Sequence, residues 1–140
     1  MVSRIETGGA LRQRDPRVRD RAYLGWIKDL PCVSCAAQGF TRFGVHAAHV
    51  KVGFPEAGWR AFGHAEKSHD RQATPLCADC HQYGPDAQHR NRNGDERAWW
   101  ERRKVYPPAF CEALRGAYES GEPGSWVVRR AARGEFPFPA

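Results

Sequence analysis

The 140-residue chain contains no apolar run near the roughly 20 residues needed to cross a bilayer, which excludes an α-helical membrane span. Its opening stretch, MVSRIETGGALRQRDPRVRDR, has no apolar segment of the secretory type, so a cytoplasmic location is expected. Lysine is scarce, at four residues against eighteen arginines. The basic character therefore rests on forked guanidinium groups, which suit planar contacts to phosphate. Cysteine is sparse and odd in number, at five. Without an export signal that count argues against a disulfide scaffold and for reduced thiols. No internal repeat is present. What is there is a chain of single-domain length with a net charge of +6, a balance that points to an anionic partner, foremost nucleic acid.

Residues 1–14 carry no apolar periodicity and read as a flexible basic arm containing Arg4, Arg12 and Arg14. Asp15-Pro16 supplies an N-cap and a first helical residue, predicting a helix to about Asp29. Its apolar positions Ala22, Tyr23, Trp26, Ile27 and Leu30 recur at helical spacing, and Pro31 stops it. From Gly39 to Val52 the mixture of β-branched, aromatic and small residues predicts a hairpin or two short strands. Residues 53–70 have no period and read as a long irregular loop. Cys77-Ala78-Asp79-Cys80-His81 opens a short helix that breaks before Pro85. Asp95 begins another that Pro107-Pro108 ends, and a third carries Phe110, Leu114, Ala117 and Tyr118 up to Gly121. Trp99 and Trp100 are adjacent, so one is expected in the core and its neighbour partly exposed. The ordered unit is expected over 15–121, with 122–140 a weakly ordered tail in which Trp126 is a candidate anchor.

Two Cys-x-x-Cys pairs, Cys32/Cys35 and Cys77/Cys80, have the spacing of zinc knuckles. Buried free thiols or a redox pair are the alternative. The long gap between the pairs requires a structural element to be looped out between them. A bound zinc ion would contribute directly to folding a small core rich in Gly and Pro. Cys111, beside Phe110 and Leu114, reads as a core cysteine. Six histidines then remain for chemistry. A strand histidine facing a helix histidine across a zinc-pinned frame suits a metal-assisted phosphodiesterase, in which one imidazole accepts a proton from water and others hold a divalent cation.

The motifs that carry a family likeness are Tyr23-Leu24-Gly25-Trp26-Ile27, Leu30-Pro31-Cys32-Val33-Ser34-Cys35, Ala47-Ala48-His49-Val50 and Asp70. Pro75-Leu76-Cys77-Ala78-Asp79-Cys80-His81, Gln88-His89 and Gly94-Asp95-Glu96-Arg97-Ala98-Trp99-Trp100 complete them. Across about residues 22–103 the chain resembles the HNH (ββα-metal) endonuclease superfamily, and within it small phage and prophage proteins akin to the recombination-enhancement nucleases. The resemblance implies an α+β fold, a small zinc-stabilised ββα-metal core with flanking helices, and cleavage of DNA. It places His49 at the general-base position, and His81 and His89 as ligands of a catalytic Mg²⁺ or Mn²⁺. Cys32, Cys35, Cys77 and Cys80 would hold structural zinc. A recombination or phage protein is a candidate partner, and oligomeric state is left open.

Two positions depart from the family pattern. Ala48 stands where Asp or His usually binds the metal, and Gln72 is nearest the slot of the central Asn. They keep open a non-catalytic, zinc-stabilised DNA-binding module of the same fold. His46, three residues from His49 on a strand, is expected to face the opposite side and act as a structural or supporting group. His64 and His69 read as solvated loop residues, and Asp70 as a loop anchor. Phosphate contacts are expected from Arg12–Arg21, Arg90–Arg103 and Arg129–Arg133, with Arg90 and Arg92 nearest the site. No base-reading element is evident, so binding should be weakly sequence-dependent and strongly salt-dependent.

Overall fold

A computed structural model describes residues 19–63, 67–91 and 95–140. The first helix, α1 (Arg21–Ile27), is capped by Asp20, whose carboxylate accepts the Tyr23 N–H at 3.1 Å. The Asp15-Pro16 start expected from sequence lies outside the described residues. Of the expected stripe, Tyr23, Ile27 and Leu30 are buried, Trp26 is half-buried and Ala22 is exposed. Pro31 then delivers the chain into a short helix, α2 (Val33–Ala37), with Cys32 as its N-cap.

Strand β1 (His46–His49) pairs antiparallel with β2 (Ala73–Leu76), with His46 opposite Leu76 and His49 opposite Ala73. The expected hairpin within 39–52 is therefore corrected. Only one strand forms there, and its partner arrives from residues 73–76. Pro75 disguises that partner, because proline usually argues against a strand. In a sheet of two strands every strand is an edge, so one missing N–H is tolerated. All four β2 residues are buried, and the Thr74 hydroxyl donates to the Ala48 carbonyl at 3.0 Å. The connection between the strands is irregular, as expected, but it is pinned. Phe54 is fully buried and meets the rings of Trp59, Tyr106 and Phe138 edge-on or tilted.

After β2 the chain makes a π-helical turn over Asp79–Tyr83. Helices α3 (Asp95–Arg103), α4 (Pro107–Ser120) and α5 (Gly124–Ala132) follow. Two prolines occupy the first turn of α4, where their missing N–H groups cost nothing, and Gly121 ends it at φ 72°. Both Trp99 and Trp100 are completely buried, which overturns the expectation that one would face solvent. Helix α3 is covered on two flanks. The Trp99 indole donates to the Asp86 carbonyl at 2.6 Å, whereas Trp100 donates inward to Glu96 at 3.1 Å. Such a helix buries more than the usual single stripe.

The weakly ordered tail expected over 122–140 is also corrected. Val127, Val128 and Ala131 of α5 are buried against α2 and α4, and Phe136 closes the end of the core. Trp126, the expected anchor, is instead 54% exposed. Short length and a Pro-Gly entry hide this helix in the sequence, while its packing is tertiary. Gly124 shows how close the contact is. A Cβ there would lie 2.6 Å from the Trp26 ring.

Because α5 is part of the core, Val128→Asp should cost at least about 3 kcal/mol by placing an unpaired charge in it. Urea unfolding checks this; a stability within about 0.5 kcal/mol of the parent would show that α5 does not contribute to the core.

Candidate metal centre and histidine cluster

Cys32 caps helix α2, which carries Cys35. Cys77 follows β2 directly, and Cys80 sits in the π-helical turn. Pairing of β1 with β2 brings the second knuckle beside the first. The four thiol sulfurs lie within 4.8 Å of one another, and Cys35 is 3.8 Å from both Cys77 and Cys80. A tetrahedral zinc ion with Zn–S bonds of about 2.3 Å has S···S edges of about 3.8 Å. The donor set therefore fits zinc in number, softness and spacing, and the four cysteines could hold such an ion. The sulfur cage also shapes proton affinities. A hydrogen bond from Cys32 is the main reason Cys80 falls to about 5, and the same contact pushes Cys32 upward. Burial, aided by the neighbouring thiolates, raises Cys35 to about 11. Metal uptake must displace the protons these groups retain. Cys111 is a core thiol, as expected, fully buried on α4 with burial raising its pKa.

Arg103 clamps the first knuckle to α3. Its guanidinium donates to the buried Ser34 hydroxyl at 3.1 Å, pairs with Asp86 at 3.0 Å and lies 4.0 Å over the Trp99 ring.

The histidines gather beside this frame. The π-helical turn places His81 over the end of β1, so that its Nδ1 lies 2.8 Å from Nδ1 of His46. The His89 ring packs edge-on against His81, with centroids 4.4 Å apart. π-Helical turns often mark functional sites. This one needs glycine at its end, because a Cβ on Gly84 would lie 2.6 Å from the Asp79 carbonyl oxygen. Burial, aided by repulsion from positive charge on His89, His46 and His49, pulls His81 down to about 4. His81 therefore stays neutral at physiological pH, with a lone pair available. His46, expected to play a supporting role, is in direct contact with His81.

His49 has a different partner. Its Nε2 lies 2.9 Å from Oδ1 of Asp70, a carboxylate only 1% exposed, and Asp70 Oδ2 accepts the Asp20 N–H at 2.6 Å. Asp20 is held in turn by Arg115 at 2.7 Å. Asp70 thus does more than anchor a loop, since it fixes the orientation of an imidazole.

A second buried network stabilises the segment bearing His89. Gln88 donates to the His49 carbonyl at 3.3 Å and to Glu96 at 2.9 Å, and Glu96 accepts from Trp100. Burial raises the Glu96 pKa, opposed by these hydrogen bonds. Glu96 and Gln88 were legible only as members of a motif. Nothing in the sequence marked them as the join between α3 and β1.

The arginine stretches divide. Arg97, Arg102 and Arg103 are paired with Glu56 or Asp86, and Arg130 and Arg133 with Glu135. Arg90 is exposed beside His89, whereas Arg92, His64 and the arginines up to position 18 lie outside the described residues. His69 is half-buried and meets the Phe62 ring edge-on, rather than being fully solvated. No helix among the described residues is long and apolar enough to cross a membrane.

Residues 10–111 match the family described as "Protein of unknown function (DUF968)", and the chain belongs to that family. No curated protein matches it, and no solved structure does.

If the thiols hold zinc, Cys77→Ser should abolish metal binding and lower stability by at least about 3–5 kcal/mol, on the order of 10 °C in Tm. Metal analysis with thermal denaturation tests it; an unchanged metal content and Tm would refute the four-thiol centre. Glu96 generates a pH signature. Its folded pKa is raised, so above the unfolded value of 4.5 the unfolded chain gives up this proton first. Native stability therefore falls as pH rises from about 4.5 towards the folded value. Relative to the parent, Glu96→Gln should gain stability across that window, read by denaturant titrations of the zinc-loaded pair at several pH values. A difference that does not change with pH would contradict the buried carboxyl.

Proposed function

We propose that this chain is a metal-dependent DNA endonuclease of the ββα-metal (HNH) type, resting on a zinc-pinned scaffold. The observation that carries the reading is His49, oriented by Asp70, in the neighbourhood of the His81–His89 pair and beside the four-thiol frame. In this reading β1, β2 and the π-helical turn form the ββα-metal core, the substrate is DNA, and a recombination or phage protein is a candidate partner.

The chemistry follows from the donors. Asp70 is a carboxylate, so His49 donates from Nε2 and accepts at Nδ1. His49 takes a proton from a water molecule through Nδ1 as that water attacks the scissile phosphorus and the opposite P–O bond breaks, the leaving oxygen taking its proton from solvent; Asp70 stabilises the resulting imidazolium. His81 and His89 would hold the divalent cation, Mg²⁺ or Mn²⁺, which when bound neutralises developing charge on the phosphate. Arg90 contributes a backbone phosphate contact, and Arg92 a second.

The test is nicking of supercoiled plasmid with Mg²⁺ or Mn²⁺ by the zinc-loaded protein. His49→Ala should remove nearly all activity, and Asp70→Asn should lower kcat by roughly 10²- to 10⁴-fold with a displaced pH profile, because an amide cannot enforce the tautomer. DNA binding without cleavage under any divalent cation would instead establish the second reading, a non-catalytic DNA-binding module. Ala48, at a position that usually supplies a ligand, favours that alternative.

A further inference from the structure

Ser34 stands inside the first Cys-x-x-Cys knuckle as a spacer, yet it is completely buried and its hydroxyl is ringed by polar groups. Gln38 Nε2 donates to the Ser34 carbonyl at 3.0 Å, which settles the end of that amide that carries the hydrogens, and to Ser34 Oγ at 3.2 Å. Arg103 Nε donates to the same oxygen at 3.1 Å, from a side chain only 10% exposed. A hydroxyl has two lone pairs and one hydrogen. With both lone pairs engaged, Ser34 meets any further group as a donor, and that group is the sulfur of Cys80 in the other knuckle.

We infer that Ser34, aimed by Gln38 and Arg103, is a positioning residue for the four-thiol centre: its hydroxyl holds the Cys80 sulfur in place as a ligand and slows release of the metal. The role rests on zinc occupying the thiols and is independent of the histidines. Cys80 is the ligand that needs such help. It is the one thiol of the four that is not fully buried, and it lies in the π-helical turn. Cys32, by contrast, accepts backbone N–H groups, from Cys35 at 3.4 Å and from Cys77. Charge points the same way. Four thiolates around Zn²⁺ leave a net charge of about −2, which is costly where burial excludes water unless donors and cations face it. Arg103 brings one cation to the cage through the Ser34 hydroxyl. Arg42 stands on another side, beside Cys77 and Asp79, whose negative charge raises its pKa. A hydrogen bond to a thiolate is charge-assisted and so stronger than one between neutral groups.

The experiment uses full-length protein loaded with Zn²⁺ or, in parallel, with Co²⁺. Competition with a chromophoric chelator reads zinc affinity and release rate. Ser34→Ala should weaken zinc by roughly 10- to 100-fold, the usual cost of losing an outer-shell partner, and speed its release. The thiolate-to-cobalt charge-transfer band should move to lower energy, because a sulfur that has lost a hydrogen bond gives up its electrons more readily. The tetrahedral ligand-field bands should persist, since all four ligands remain. Arg103→Met keeps an unbranched stem over the Trp99 ring and removes the donor. It should shift affinity and band in the same direction, by less, because Gln38 still holds Ser34.

Two results would overturn the role. One is Ser34→Ala holding zinc within about threefold of the parent. The other is weaker binding with the charge-transfer band unmoved, which would mark Ser34 as packing alone. Where Ser34→Ala does not fold, Arg103→Met decides by the same two readings. A parent chain that takes up neither Zn²⁺ nor Co²⁺ would defeat the four-thiol centre itself, and this role with it. No readout involves DNA, so the nuclease reading stands or falls separately.

Discussion

Four sulfur atoms bring together two segments that lie far apart in the sequence. Cys35 and Cys77 are 42 residues apart in sequence and 3.8 Å apart in space. The sheet connecting them has two strands and four residue pairs, an arrangement marginal in water on its own. Helix α2, capped by Cys32, is in turn the surface on which α5 and β2 pack. A metal at the thiols would therefore tie the sheet, the knuckles and the helical core into one unit. Removing it would leave a sheet too short and a helix too brief to find each other.

From that frame two polar networks, one half-buried and one buried, extend toward the histidines. One runs from Arg115 through Asp20 to Asp70 and ends on His49. The other runs from Trp100 through Glu96 to Gln88 and ends on the backbone of the same residue. The side chain and the main chain of His49 are thus fixed from opposite directions, by groups on α4 and α3. Rigid support of this kind is what a general base needs if it is to meet a reacting water at the right angle. His81 depends on neither network, being set by the backbone of the π-helical turn.

The sequence showed the four thiols, because two Cys-x-x-Cys spacings have a strong local meaning, and it showed α3 and α4, because their boundaries are written in Asp, Pro and Gly. It hid whatever depended on distant partners. The β2 strand was invisible behind Pro75, and α5 lay behind a Pro-Gly entry, its burial decided by α2 and α4. The double burial of Trp99 and Trp100 needed a loop that returns over α3. At the site, motif likeness reached His49, His81 and His89 but not the Asp70–His49 contact at 2.9 Å. The alternation rule set His46 apart from His49, yet it could not show that His46 would meet His81.

The separation of the two strands also fixes an order of events during synthesis. When β1 leaves the ribosome, its partner lies 23 residues further along the chain, counting from His49 to Gln72, and the second pair of thiols is later still. Until then β1 is an unsatisfied edge and the first knuckle a half-filled ligand set, both open to wrong partners. Closing so long a connection carries an entropic cost that grows only slowly with its length, whereas metal capture by a second thiol pair is strongly favourable. The nascent chain is therefore most exposed to wrong partners in that interval, and a metal ion captured by the completed thiol set would shorten it.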